Sequence, residues 1–215
     1  MTKLNDWLEN TKPVIAVIVI DDINHAVPMA KALVEGGIHL LEITLRTSSG
    51  LDAIQLISEQ VPEAIVGAGT VCTPDDYQKA IEAESQFIVS PGLTQPLIIK
   101  AQNVKDSGKW DGVFLPGVAT ASELMTAVDA GFTQLKCFPA SAIGGAKLLK
   151  AWSGPFPDVK FCPTGGMTPE NYQDYLALPN VICAGGSWLT DSKLLASEEW
   201  DQVTKRAENI QRGKY

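Results

Sequence analysis

Histidine is almost missing from this chain, and its scarcity removes a class of chemistry. Two histidines, His25 and His39, flank a helical stretch, so a His-based zinc or transition-metal site is not expected. Basic residues are also in the minority. Lys and Arg number 17 against 25 Asp and Glu, a net charge of −8, the reverse of the basic footprint that nucleic acids or anionic membranes attract. A small anionic substrate remains open, because a local cationic pocket fits within an acidic protein. The four cysteines, Cys72, Cys137, Cys162 and Cys183, contain no C-x-x-C pair, and each lies in or beside an apolar run, as small buried residues do. The N-terminal stretch lacks the apolar core of a signal peptide, and no run is long enough to cross a bilayer. The expectation is a reduced, cytoplasmic protein.

What is present is ordinary in bulk and regular in order. A chain of 215 residues can bury one sizeable core, and residues 1–215 read as one domain. Eight short apolar or β-branched runs recur: 14–20, 40–45, 64–69, 87–90, 113–115, 134–138, 160–162 and 181–184. Helical signals fall between them. The stretch 24–35 ends at Gly36-Gly37, a stop signature. Thr73-Pro74-Asp75-Asp76 reads as an N-cap, a proline at the first helical position and acidic residues at the positive helix end. Thr120 and Glu123 form a capping-box pattern before a helix that stops at Gly131, and Pro169-Glu170 opens another. Strands alternating with helices imply parallel βα units. Eight of them predict an α/β chain folded as a (β/α)8 TIM barrel behind a short N-terminal helix. A doubly wound open sheet is the alternative, but no G-x-G-x-x-G follows the first strand.

In a barrel the chemistry gathers at the C-terminal strand ends. Alternation along the second run places Leu41, Ile43 and Leu45 toward the helices and Glu42, Thr44 and Arg46 on the opposite, inward face. Arg46 is the sole arginine before Arg206, so it is not one charge among many on a solvated face. The sixth run holds Lys136 between Leu135 and Cys137. A strand lysine ordinarily snorkels to solvent, but an inward one is a candidate amine nucleophile. Burial favours the neutral amine, a neighbouring Glu42 favours the ammonium, and the sequence leaves that balance open. The last two runs end in Pro163-Thr164-Gly165-Gly166 and Ala184-Gly185-Gly186-Ser187. Glycine-rich turns at these two positions form the usual phosphate site of such a barrel, although either pair alone reads as a tight turn.

Taken as a set, Leu41-Glu42-Ile43-Thr44-Leu45-Arg46, Val66-Gly67-Ala68-Gly69-Thr70, Ser90-Pro91-Gly92-Leu93-Thr94, Pro116-Gly117, Lys136-Cys137-Phe138-Pro139-Ala140 and Phe161-Cys162-Pro163-Thr164-Gly165-Gly166 resemble the bacterial 2-keto-3-deoxy-6-phosphogluconate (KDPG) aldolases that also act on 4-hydroxy-2-oxoglutarate (KHG). The resemblance runs from about residue 13 to Trp188. It implies a homotrimer of (β/α)8 barrels in the Entner–Doudoroff pathway, using no metal or other cofactor. Such an enzyme cleaves the phosphorylated keto acid to pyruvate and glyceraldehyde 3-phosphate through a Schiff base. The resemblance assigns the Schiff base to Lys136 and general acid/base work to Glu42. Arg46 and Thr70 would hold the pyruvate carboxylate, Pro91 and Phe138 would flank the pyruvyl group, and Thr164, Gly165, Gly166, Gly186 and Ser187 would bind phosphate. Cys137 stands where many relatives have an aromatic residue and should face the helices. Ser141 stands near the mouth where they have an acidic one. The galactonate-series aldolase and a phosphosugar isomerase or epimerase are the alternatives. The latter would need no inward lysine, and a metal-dependent aldolase would need more ligands than Glu42.

Overall fold

The structure, a computed structural model, describes residues 2–210. The expected domain, 1–215, includes Met1 and 211–215, which lie outside the described residues. Among those described, the strands are β1 (Val14–Ile18), β2 (Leu40–Thr44), β3 (Ile65–Gly69), β4 (Phe87–Val89), β5 (Val113–Leu115), β6 (Gly117–Val118), β7 (Gln134–Cys137), β8 (Lys160–Pro163) and β9 (Ala184–Gly186). The helices are α1 (Lys3–Glu9), α2 (Ala26–Glu35), α3 (Gly50–Gln60), α4 (Pro74–Glu82), α5 (Gln95–Ser107), α6 (Ala121–Asp129), α7 (Gly145–Trp152), α8 (Tyr172–Leu176), α9 (Ser192–Ser197) and α10 (Trp200–Glu208). Every strand pairing is parallel. The strands form one sheet in the order β5-β4-β3-β2-β1-β9 and another in the order β6-β7-β8. The fold is therefore α/β with helices returning between parallel strands, as the alternation of runs implies. No described helix is long and apolar enough to cross a membrane.

Strand alternation divides the core in two. Val14, Ala16 and Ile18 of β1, with Leu41 and Ile43 of β2, pack outward against the helices. Ile15, Leu40, Phe87, Val89, Leu115, Cys162 and Cys183 gather in a separate cluster drawn from both sheets. Leu4 of α1 is buried in that second cluster with Trp7 and Leu8 against it, so the N-terminal helix shields the interior from one side. The capping box of Thr120 with Glu123 forms, and Thr73 caps α4 as expected, making a second box with Asp76.

The fifth run forms β5 over the expected residues, and Pro116, which lacks the N–H that a continuous ladder needs, separates it from the further short strand β6. Three expectations need correction. The last strand falls on Ala184–Gly186 rather than 181–184, because pairing with Val14–Ala16 of β1 fixes its register; Val181 makes only an isolated bridge to Phe161. The helix expected at Pro169 begins at Tyr172, after a turn in which Asn171 accepts the Thr168 N–H and donates to the Gly166 carbonyl.

The third correction is Cys72, which is exposed while the other three cysteines are buried. It lies in the turn just before α4, where its backbone N–H is held by the Asp76 carboxylate, 3.1 Å away. Burial pushes the Cys137 thiol up to about 12. The hydrogen bond to Cys162 and complete burial push Cys183 well above the usual thiol range. Because the thiolate is the reactive species, iodoacetamide at about pH 8 should alkylate Cys72 alone in the native protein and all four residues after denaturation in guanidinium. Mass spectrometry reads the result, and rapid native labelling of Cys137 or Cys183 would contradict this burial.

Candidate active site

The inward face of β2 and the inward face of β7 meet through two charged side chains. Lys136 lies between Gly117 and Cys162 in the strand register, while its neighbours Leu135 and Cys137 pack outward. Glu42 lies between Val17 and Gly67. The Lys136 Nζ donates to Glu42 Oε1 at 3.0 Å, and both side chains are more than nine-tenths buried. Two residues 94 positions apart thus form a buried ion pair at the strand ends. The Nζ also lies 5.4 Å from the centroid of the Phe138 ring. Sequence alternation had put Glu42 inward, and of the two orientations open to Lys136 the structure takes the inward one.

Gly69 closes the wall beside Glu42. A Cβ at this position would overlap Glu42 Oε1 and Cγ, so only glycine lets the carboxylate occupy its place. The next residue, Thr70, is held at φ 60°, and its Oγ1 accepts a hydrogen bond from Arg46 Nε at 3.1 Å. Arg46 is exposed beyond the end of β2. Two of the five guanidinium donors in a fork suit a carboxylate arriving at that point. Pro91 is one strand away from Lys136: its carbonyl packs so closely on Gly117, the register partner of Lys136, that no Cβ fits there.

The two glycine turns also converge. Thr164 bridges to Gly185 in parallel fashion, which brings the end of β8 beside Gly186-Ser187. The loop after β7 supports it, with the N–H groups of Ala140 and Ser141 donating to the carbonyls of Thr164 and Gly165. Gly165 and Gly166 both have positive φ, 92° and 76°. Among the described residues their N–H groups have no acceptor in reach. A pair of unspent donors in such a turn is suited to an anion. Ser141, noted for its departure from the relatives, has its Oγ against Gly166.

Three features escaped the sequence. Thr44 does not line the site: its Oγ1 donates to the Ile18 carbonyl at 3.0 Å. Thr47 and Ser49 extend the same pattern to the carbonyls of Ile20 and Asp21, so hydroxyls continue the β1–β2 pairing past the strand ends and fix the loop carrying Arg46. Arg206 bonds the turn after Ser187. Hydroxyls in a Thr-Ser-Ser loop carry no such signal, since their partners lie over 20 residues away. No group of three or more His, Cys, Asp or Glu among the described residues is placed to hold a metal ion.

The chain is similar to proteins of known family. Residues 6–206 match the family described as KDPG and KHG aldolase. The chain is 50% identical to the KHG/KDPG aldolase of Escherichia coli K12, over 94% of this chain and 92% of that one. It is 48% identical to the 2-dehydro-3-deoxy-phosphogluconate aldolase of Pseudoalteromonas atlantica, over 94% and 91%. Among solved structures it resembles the KDPG aldolase of Legionella pneumophila, captured with pyruvate as a covalent carbinolamine intermediate. That match has a TM-score of 0.90 and 42% identity, covering 96% of this chain and 98% of the other.

Proposed function

The chain belongs to the KDPG and KHG aldolase family, and from that membership we propose that it cleaves KDPG to pyruvate and glyceraldehyde 3-phosphate through a Schiff base on Lys136. The observation that carries the reading is the buried Lys136–Glu42 contact, an amine and a proton carrier in direct reach of each other.

The Lys136 amine adds to the C2 carbonyl of the keto acid, giving a carbinolamine. Loss of water leaves a protonated imine, which draws electrons from C3. Glu42 takes the C4 hydroxyl proton as the C3–C4 bond breaks. The bonding pair passes to the imine, forming an enamine, and glyceraldehyde 3-phosphate leaves. A proton delivered to C3 and hydrolysis of the imine release pyruvate and restore the lysine. Arg46 and Thr70 hold the carboxylate, Pro91 and Phe138 border the pyruvyl group, and Thr164, Gly165, Gly166, Gly186 and Ser187 receive the phosphate. The same carboxylate and lysine contacts serve 4-hydroxy-2-oxoglutarate, which has no phosphate to bind.

We read the scaffold as a (β/α)8 barrel. Support comes from β5 and β6, the edges of the two sheets, being separated in the chain by Pro116 alone, from the bridges between the β8 and β9 segments, and from an interior cluster drawn from both sheets. We also read the protein as a homotrimer. The exposed apolar side chains of Ile99 on α5 and of Met125 and Val128 on α6 favour a covered face, and sedimentation velocity tests it.

The chemistry has a direct test. Borohydride added with pyruvate should fix a pyruvyl group on Lys136 and inactivate the enzyme, with the modified peptide identified by mass spectrometry. An unmodified Lys136 in inactivated protein would sink the assignment.

A further inference from the structure

We propose that Arg206, on the last described helix, is a positioning residue for the turn that receives the substrate's phosphate. The proposal rests on the reading of Gly186-Ser187 as part of the phosphate site. Arg206 Nη1 donates to the Trp188 carbonyl at 2.5 Å and to Asp191 Oδ2 at 2.6 Å. Both acceptors lie in the four residues that follow Ser187. Asp191 is itself fixed, because its Oδ1 accepts the N–H groups of Lys193 and Leu194 at the start of α9. The Arg206 hydrogen bond also holds the Asp191 carboxyl below the usual carboxylate range. Trp188 carries the constraint back to the glycine: its indole lies so close over Gly186 that a Cβ there would fall within the ring, and it packs against Tyr172 with centroids 5.7 Å apart. One guanidinium thereby fixes the main chain and the ring on the C-terminal side of the proposed phosphate contacts.

The alternative is that Arg206 merely docks α10, and the other contacts of that helix argue against it. Val203 and Ala207 are fully buried. Thr204 Oγ1 donates to the Ala32 carbonyl on α2 at 3.0 Å. Lys12 Nζ caps the carbonyls of Ala207 and Glu208 at 2.7 and 2.8 Å. The helix is thus held on its apolar face and at its end without Arg206, whose hydrogen bonds among the described residues all go to the turn. Backbone donors bind an anion well only when their directions are set beforehand, which is what such a clamp supplies.

The effect should therefore depend on the phosphate. Arg206→Met should raise KM for KDPG by about tenfold with kcat little changed, the scale of one lost charge-assisted bond. Cleavage of 4-hydroxy-2-oxoglutarate and the rate of pyruvate adduct formation should stay within about twofold of the parent enzyme, since neither ligand carries phosphate. Arg206→Lys should recover part of the loss. Ser187→Ala is measured alongside and should raise KM for KDPG on its own. If Ser187→Ala acts on KDPG while Arg206→Met leaves it unchanged, or weakens both substrates equally, the clamp is overturned and the phosphate turn stands. If Ser187→Ala has no effect on KM, the turn is misassigned and the clamp falls with it.

Discussion

Lys136→Met should abolish cleavage and, by itself, destabilise the fold by about 3–5 kcal/mol. The loss of turnover follows from chemistry: without an amine there is no imine, and the remaining binding groups leave at most a residual rate, a drop on the order of 10⁴-fold or more. The loss of stability follows from Glu42, which is 2% exposed and whose carboxylate accepts from the lysine, 3.0 Å away. Removing one member of a buried pair strands the other, whereas replacing both with apolar groups of similar size is often neutral. The double variant Lys136→Met/Glu42→Leu should accordingly regain most of the stability that Lys136→Met loses while remaining inactive. Urea unfolding of the parent, the two single variants and the double variant gives the coupling energy. Additive changes, within about 0.5 kcal/mol, would mean that the two charges do not depend on each other. Stability and turnover then separate, because a repaired fold with no activity assigns the Lys136–Glu42 pair to chemistry rather than to folding.

The fold was legible where its determinants are local. The capping box expected at Thr120 and Glu123 forms, and Thr73 is the N-cap expected of it, with a capping box to Asp76 in addition. The second and seventh strands each carry one charge within an apolar run, which is why Glu42 was placed inward by alternation and Lys136 stood out as a candidate. What was missed depends on partners far along the chain. The final strand shifted to Ala184–Gly186 because glycines have no strand preference of their own, and β1 imposes the register. Cys72 looks like a core residue by its neighbours, but the capping Asp76 holds its turn at the surface. Arg206 is separated from Trp188 by 18 residues, and nothing in a charged amphipathic helix distinguishes an arginine that clamps a turn from one that faces water. The hydroxyl ladder of Thr44, Thr47 and Ser49 is invisible for the same reason.

Glu42 is open to a test that separates its proton from its shape. Glu42→Gln keeps the size of the side chain and an oxygen that can accept from Lys136 Nζ, but it cannot carry a proton. Pyruvate should still be trapped on Lys136, while KDPG turnover falls by about 10²–10⁴-fold, the range for loss of a positioned acid/base group. Deuterium exchange from solvent into the pyruvate methyl group should fall with it, since the same carboxylate would move the C3 proton. Gly69→Ala approaches the question from the other side. Its φ is not in the left-handed region, so the backbone tolerates alanine, but the new Cβ overlaps Glu42 Oε1 and Cγ and forces the carboxylate away from the lysine. This variant retains a carboxylate of normal chemistry in the wrong place, and its turnover and exchange should fall together as they do in Glu42→Gln. If Glu42→Gln turned over at the parent rate, the carboxylate would have no part in proton transfer. If Gly69→Ala alone kept full activity, the proton transfer would not require Glu42 to be where the structure holds it.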